Sequence, residues 1–166
     1  MPYTLTIRDY VLCVSWRGFT PSELDEIVGH AAERKRATSM PTVYLSRIPA
    51  DTRVFTDEEL RVLLDFLVKM LPSCASIHHV VEGHGFIKSA RRSIVTKLAL
   101  STPNPRSFHT HASMADATAA ITTAYGIDLH GLAADRSAPP SGEERASAAF
   151  RAAHQIASRK APPPKR

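Results

Sequence analysis

Cysteine and glycine are scarce in this chain of 166 residues, and each scarcity excludes something. The 2 cysteines, Cys13 and Cys74, cannot build a disulfide framework and read as reduced, buried thiols of a cytosolic protein. The 7 glycines leave neither GxGxxG nor GxxxxGK[ST], so no phosphate-cradling loop of a common nucleotide-binding kind is written here. GxSxG, HxxxH and CxxC are missing too, which removes the nucleophile elbow and the usual zinc spacings. No run approaches the ~20 apolar residues of a membrane-spanning helix. The start, Met1-Pro2-Tyr3-Thr4, lacks a basic n-region and an apolar h-region, so neither a secretory signal nor an address outside the cytoplasm is expected.

What is present suits one globular domain with a tail. Apolar residues make up 43% and charged residues 22%. The net charge of +5 is unevenly placed. Residues 1–135 balance 14 basic against 14 acidic side chains, while residues 136–166 carry 7 basic and 2 acidic ones. The folded body therefore has no net bias toward phosphates, and specific nucleic-acid binding is not expected. The basic tail is left as a contact for an acidic partner or an anionic membrane surface.

Periodicity orders the elements. Tyr3–Arg8 alternates apolar and polar, and Val11–Trp16 follows across a short turn, predicting a β-hairpin. Thr20-Pro21-Ser22-Glu23 is a capping box with Pro at the first helical position, opening a helix that ends before Pro41. Thr42–Ile48 is a strand, and Thr56-Asp57-Glu58-Glu59 opens a helix over 57–71. Ser76–Glu82 is a strand, Ile87–Leu100 a basic helix with Ala90, Ile94 and Leu98 inward, Ser107–Ala112 a short strand, and 114–124 a helix stopped by Gly126.

The order β-β-α-β-α-β-α-β-α predicts an α/β fold: a mixed five-stranded sheet, antiparallel at its first hairpin, with helices mainly on one face and the other open to water or a partner. Residues 1–126 are expected to form the domain. Residues 127–166 are expected to hold a linker, a weakly helical Ala-rich segment and a disordered basic tail.

The 57–71 helix carries nearly two apolar stripes, Leu60/Leu63/Leu64/Leu67/Leu71 and Val62/Phe66/Met70. One stripe suffices for one-sided packing, so Phe55, Val62, Phe66 and Met70 are expected to form a partner-binding or dimerisation surface. Gly83-His84-Gly85 precedes the basic helix, making His84, Lys88 and Arg91 a weak anion- or ligand-binding set. His109 and His111 share a strand face, with His84 in a loop nearby. Three imidazoles match the donor number of a zinc site, although the spacing is unlike a metal motif and no metal or cofactor is expected.

The element order over residues 3–126 resembles the STAS fold of anti-sigma-factor antagonists. Pro2-Tyr3-Thr4 and Val14-Ser15-Trp16-Arg17-Gly18 are similar to divergent bacterial STAS-like proteins, which open with Pro-Tyr-Thr and carry a Trp late in the second strand. The resemblance implies a non-enzymatic regulatory protein–protein interaction domain of a bacterial cytosolic signalling system, acting through loop 49–56 and helix 57–71. It also implies a phosphorylatable Ser or Thr after the third strand. Here the stretch is Asp51-Thr52-Arg53-Val54-Phe55-Thr56-Asp57, without the family's Asp-Ser, so Thr56 and Thr52 are the candidates and simple helix capping is the competing reading of Thr56. Two alternatives stay open. One is a small-molecule or lipid-binding module with a pocket between sheet and helices. The other is an enzyme or metal site around His84, His109 and His111.

Overall fold

The structure, a computed structural model, describes residues 3–129 and 131–132. The chain divides into two units, Met1–Ala133 and Ala134–Arg166. The expectations for the linker, the Ala-rich segment and the basic tail fall outside the described residues from 133 onward.

Five strands form one mixed sheet in the order β1 (Tyr3–Arg8), β2 (Val11–Trp16), β3 (Thr42–Ile48), β4 (Cys74–Val81), β5 (Phe108–His111). β1 and β2 pair antiparallel from Tyr3↔Trp16 to Arg8↔Val11, and every other pair is parallel. Asp9 makes the hairpin turn possible with a left-handed backbone, φ 52°, which its short polar side chain tolerates. The helices are α1 (Pro21–Thr38), α2 (Asp57–Met70), α3 (Gly85–Leu100) and α4 (Met114–Tyr125). Both expected capping boxes are formed, by Thr20 with Glu23 and by Thr56 with Glu59. Among the described residues no helix is long and apolar enough to cross a membrane.

The middle strands β2 and β3 are near-continuous buried runs because both faces of the sheet are covered. On one face Leu12, Val14, Trp16, Tyr44 and Ile77 pack against Leu24 and Ile27 of α1 and Phe66, Leu67 and Met70 of α2. Val95 of α3 meets Ile48 and Val81 on that same face. On the other face Val11, Cys13, Val43, Leu45 and Val80 pack against Ala117 and Ile121 of α4.

Three expectations change here and one is refined. The far face is not open: α4 lies across it, because β2 and β3 present apolar side chains there that need cover. The domain does not stop at 126, since Ile127 and Leu129 are buried with α4 after Gly126 turns the chain at φ 68°. On α3 the expected Ile94 and Leu98 do turn inward but are half-buried, as is Ala90, and the most deeply buried residues are Val95 and Ala99. The partner surface on α2 does not exist as drawn: Phe66 and Met70 are buried in the core, and Val62 is half-buried against it. The reason is position, because α2 has α1 on one flank and α3 on the other and so needs a wider apolar arc than a helix at the edge of a layer.

Candidate functional site

At the carboxyl ends of β2, β3 and β4, the sheet and helices α2 and α3 do not close completely. They leave a cavity of about 60 Å³ beneath the loop 49–56. Its floor is Trp16, Tyr44, Ser46, Ile48 and His79, its walls include Leu63, Phe66, Ile94 and Leu98, and Arg53, Val54 and Phe55 stand at its mouth. Half-buried Ile94 and Leu98 both line this cavity, and Leu98 also packs against the main core. An aromatic cluster shapes it, with Trp16 edge-on to Phe66 and to Phe19 at 6.3 Å, and Tyr44 edge-on to Phe66 at 5.8 Å. Trp16 Nε1 donates to the Tyr44 hydroxyl at 3.0 Å, and burial holds that phenol well above its ordinary pKa. Phe55 packs on Phe19 at 5.4 Å, which ties the loop to the rim of the cavity and not to a partner surface.

His79 is the exceptional polar group. It sits in an apolar run of β4, between Ser46 of β3 and Thr110 of β5, and its ring stacks on Phe108 at 6.1 Å. The residue is 6% exposed, and among the described residues neither Nδ1 nor Nε2 has a hydrogen-bond partner. Burial, and secondarily the charge of a protonated His111, lowers its pKa to about 4, so the ring is neutral at pH 7. A buried polar group without a partner costs about 1–3 kcal/mol, so both nitrogens stand ready for a bond the protein does not supply.

Arg91 of α3 is the second such group. Its Nη1 donates to the Ala50 carbonyl at 2.8 Å and its Nη2 to the Thr52 carbonyl, which clamps the loop over the cavity. Its Nε is buried without a partner. The loop is held again by Thr52, whose hydroxyl donates to the Trp16 carbonyl at 3.2 Å, and by Arg53, which forks onto Glu59. That pairing with Arg53 holds the Glu59 carboxyl at about 2. Gly83, at φ 108°, lets the chain pass Ala50, whose Cβ stands 3.4 Å from where a side chain would begin.

Several expected residues do not converge. His84 is exposed and makes no cap bond, and Lys88 donates to the Ala112 carbonyl at 3.3 Å, away from Arg91. Thr52 is 2% exposed with its hydroxyl engaged, so it is closed to a kinase. Thr56 is exposed, but its Oγ1 accepts from the Glu59 amide at 3.3 Å and its own amide donates to Glu59 Oε2 at 2.8 Å. A phosphate there would face the Glu59 carboxylate, which favours the capping role.

The histidines form a different set from the one expected. His84 stays apart, and His78 joins His109 and His111 on the α4 face, where β4 and β5 place His78 beside His109 and Val80 beside His111. His78 stacks on both rings, at 4.8 and 5.1 Å. Its Nδ1 lies 2.9 Å from His111 Nε2, its Nε2 lies 2.9 Å from Ser76 Oγ, and Tyr125 donates to Ser76 at 2.8 Å. Burial and the neighbouring imidazoles lower His78 to about 3, and burial also lowers His111. Ser76 and His78 have the spacing of a nucleophile and its base, yet Ser76 is 3% exposed beneath Tyr125 and no substrate reaches it. Among the described residues no group of three or more His, Cys, Asp or Glu is placed to hold a metal ion.

Sequence reasoning passed over His79 as a site. The pattern that marks it is Ile77-His78-His79-Val80-Val81, where strand alternation sends one imidazole to each buried face. Compared with family models, curated proteins and solved structures, the chain has no match.

Proposed function

We propose that the protein is a non-enzymatic binding module that takes a small, mainly apolar molecule carrying one polar group into the cavity beneath loop 49–56. The supporting observation is His79: a neutral imidazole with two unpartnered nitrogens inside an apolar, aromatic-lined cavity. Such a chamber with few convergent polar groups is how small-molecule sites are commonly built, and the carboxyl ends of parallel strands are where they are commonly found. The lining also holds the hydroxyl of Ser46, the cross-strand neighbour of His79, but that hydroxyl is hydrogen-bonded to the Tyr44 phenol and not to the imidazole, so we read the chemistry asked of His79 and Arg91 as recognition. A cytoplasmic setting accords with a chain that has only two cysteines, Cys13 and Cys74.

A fragment screen by methyl NMR tests this. Binders should shift the methyl resonances of Leu63, Ile94 and Leu98, and Ile94→Trp, which fills the cavity, should abolish the shifts. A screen that leaves those methyls unmoved refutes the reading.

A second reading keeps the regulatory protein-interaction role that the STAS-like resemblance implies, with its surface moved off the buried α2 face. It is favoured by Phe86, 87% exposed at the start of α3, with Ile87 and Val54 each 56% exposed. Occupancy of the cavity and the posture of loop 49–56 would then be coupled through Arg91. A Phe86→Glu variant that retains fragment binding but loses a captured regulatory partner separates the two roles.

A further inference from the structure

Beside the engaged hydroxyls of Tyr44 and Ser46, the cavity lining holds two unpartnered N–H donors, one on His79 and one on the charged guanidinium of Arg91. Arg91 pairs with no carboxylate among the described residues; its two outer nitrogens reach only backbone carbonyls, which are dipoles without net charge. Its Nε–H remains buried and unpartnered. His79 adds one more N–H, from a ring that is 6% exposed. A neutral alcohol offers one oxygen that also brings its own proton to be satisfied. A carboxylate is acceptor-only, with two oxygens, and supplies the counter-charge. An amine is excluded by the guanidinium.

Size narrows the class. A chamber of about 60 Å³ is well below the ~300–1,000 Å³ of sites for drug-sized ligands, so its occupant is small. Ile94, Leu98 and Phe66 line it with hydrocarbon. We infer that the ligand is a short-chain monocarboxylic acid bound as its anion, with the carboxylate on Arg91 Nε and a His79 ring nitrogen and the hydrocarbon end among Ile94, Leu98 and Phe66. This inference rests on the binding-module reading and adds the ligand class to it. Longer acids outgrow the chamber and lift loop 49–56, so affinity should peak near butyrate and isobutyrate and fall with each further pair of carbons.

Calorimetry and methyl NMR on the full chain, with butyrate, isobutyrate, octanoate, isobutanol and toluene as probes, test it. Expected are binding of the two short acids, binding of isobutanol at least about tenfold weaker, and loss of acid binding in His79→Phe, which keeps the stacking on Phe108 but removes both nitrogens. The second variant, Arg91→Lys, keeps a cation but loses the Nε donor and part of the loop clamp, and should weaken the acids by more than it weakens toluene. If toluene or isobutanol binds and the acids do not, the carboxylate inference falls and the binding-module reading stands. If acids bind equally well to wild type and His79→Phe, the inference also falls. If no probe moves the cavity methyls, both fall.

Discussion

Replacing His79 by Phe should make the protein more stable, not less. In most cores a buried histidine earns its place by hydrogen bonds, and removing it leaves a partner stranded. Here neither ring nitrogen has a partner, while the ring stacks on Phe108, a contact that Phe keeps. Relief of one to two buried polar atoms is worth about 1–3 kcal/mol at neutral pH. For a domain of this size that corresponds to roughly 3–10 °C in Tm. The pH dependence sharpens the test. His79 titrates at about 4 in the folded protein against an ordinary 6.5, so between those values the unfolded chain binds more protons. Stability is whole above about pH 6.5, falls as pH drops through that window, and by pH 4 has lost about 3 kcal/mol through this group. His79→Phe should remove that share of the acid loss and leave the part due to His111 and to His78, which burial lowers further still. Urea unfolding followed by tryptophan fluorescence, with Trp16 as reporter, measures both effects at pH 7.5, 5.5 and 4.5. A variant less stable than wild type at pH 7.5, or one with an unchanged slope toward acid, refutes the claim that the imidazole is buried without partners.

Other outcomes follow from the same structure. Phe66→Ala should cost about 3–5 kcal/mol and Met70→Ala about 2–5 kcal/mol by thermal or urea unfolding, because both side chains are buried in the main core; a loss below 1 kcal/mol would mean the α2 face is exposed in solution. Thr56→Ala should cost about 1 kcal/mol and fray the start of α2, read as faster amide exchange at Asp57–Glu59. Tyr125→Phe, which deletes the hydroxyl donating to Ser76, should cost about 0.5–1.5 kcal/mol and shift the His78 and His111 ring resonances; unmoved resonances would break the proposed Tyr125–Ser76–His78–His111 chain.

Much of the architecture was legible from local chemistry. The Thr20 and Thr56 capping boxes, Pro21 at the first helical turn and Gly126 at the last each act within a few residues, so local sequence marks the helix ends they control. The strand order follows from connection rules, since strands joined through a helix run parallel and neighbours in sequence become neighbours in the sheet. The site was less legible. Arg91 was singled out, but with His84 and Lys88, because helix spacing gives neighbours on a face and not the carbonyls of a loop some forty residues earlier in the chain, at Ala50 and Thr52. His109 and His111 were read as one face of a strand, whereas the third ring beside them comes from β4 through register alone.

The sequence by itself determined where helices and strands begin and end, which depends on contacts within a turn or two of the chain, that the sheet is mixed with its hairpin at one edge, which follows from how strands joined by a turn or by a helix must run, and that no familiar catalytic or phosphate-binding motif is present. Only the tertiary structure decided that α2 is enclosed, that α4 covers the far face, and that His79 and Arg91 share an apolar chamber. Those depend on which faces meet across long separations, and packing, which fills or leaves space at the ends of three parallel strands, is not encoded in any single stretch.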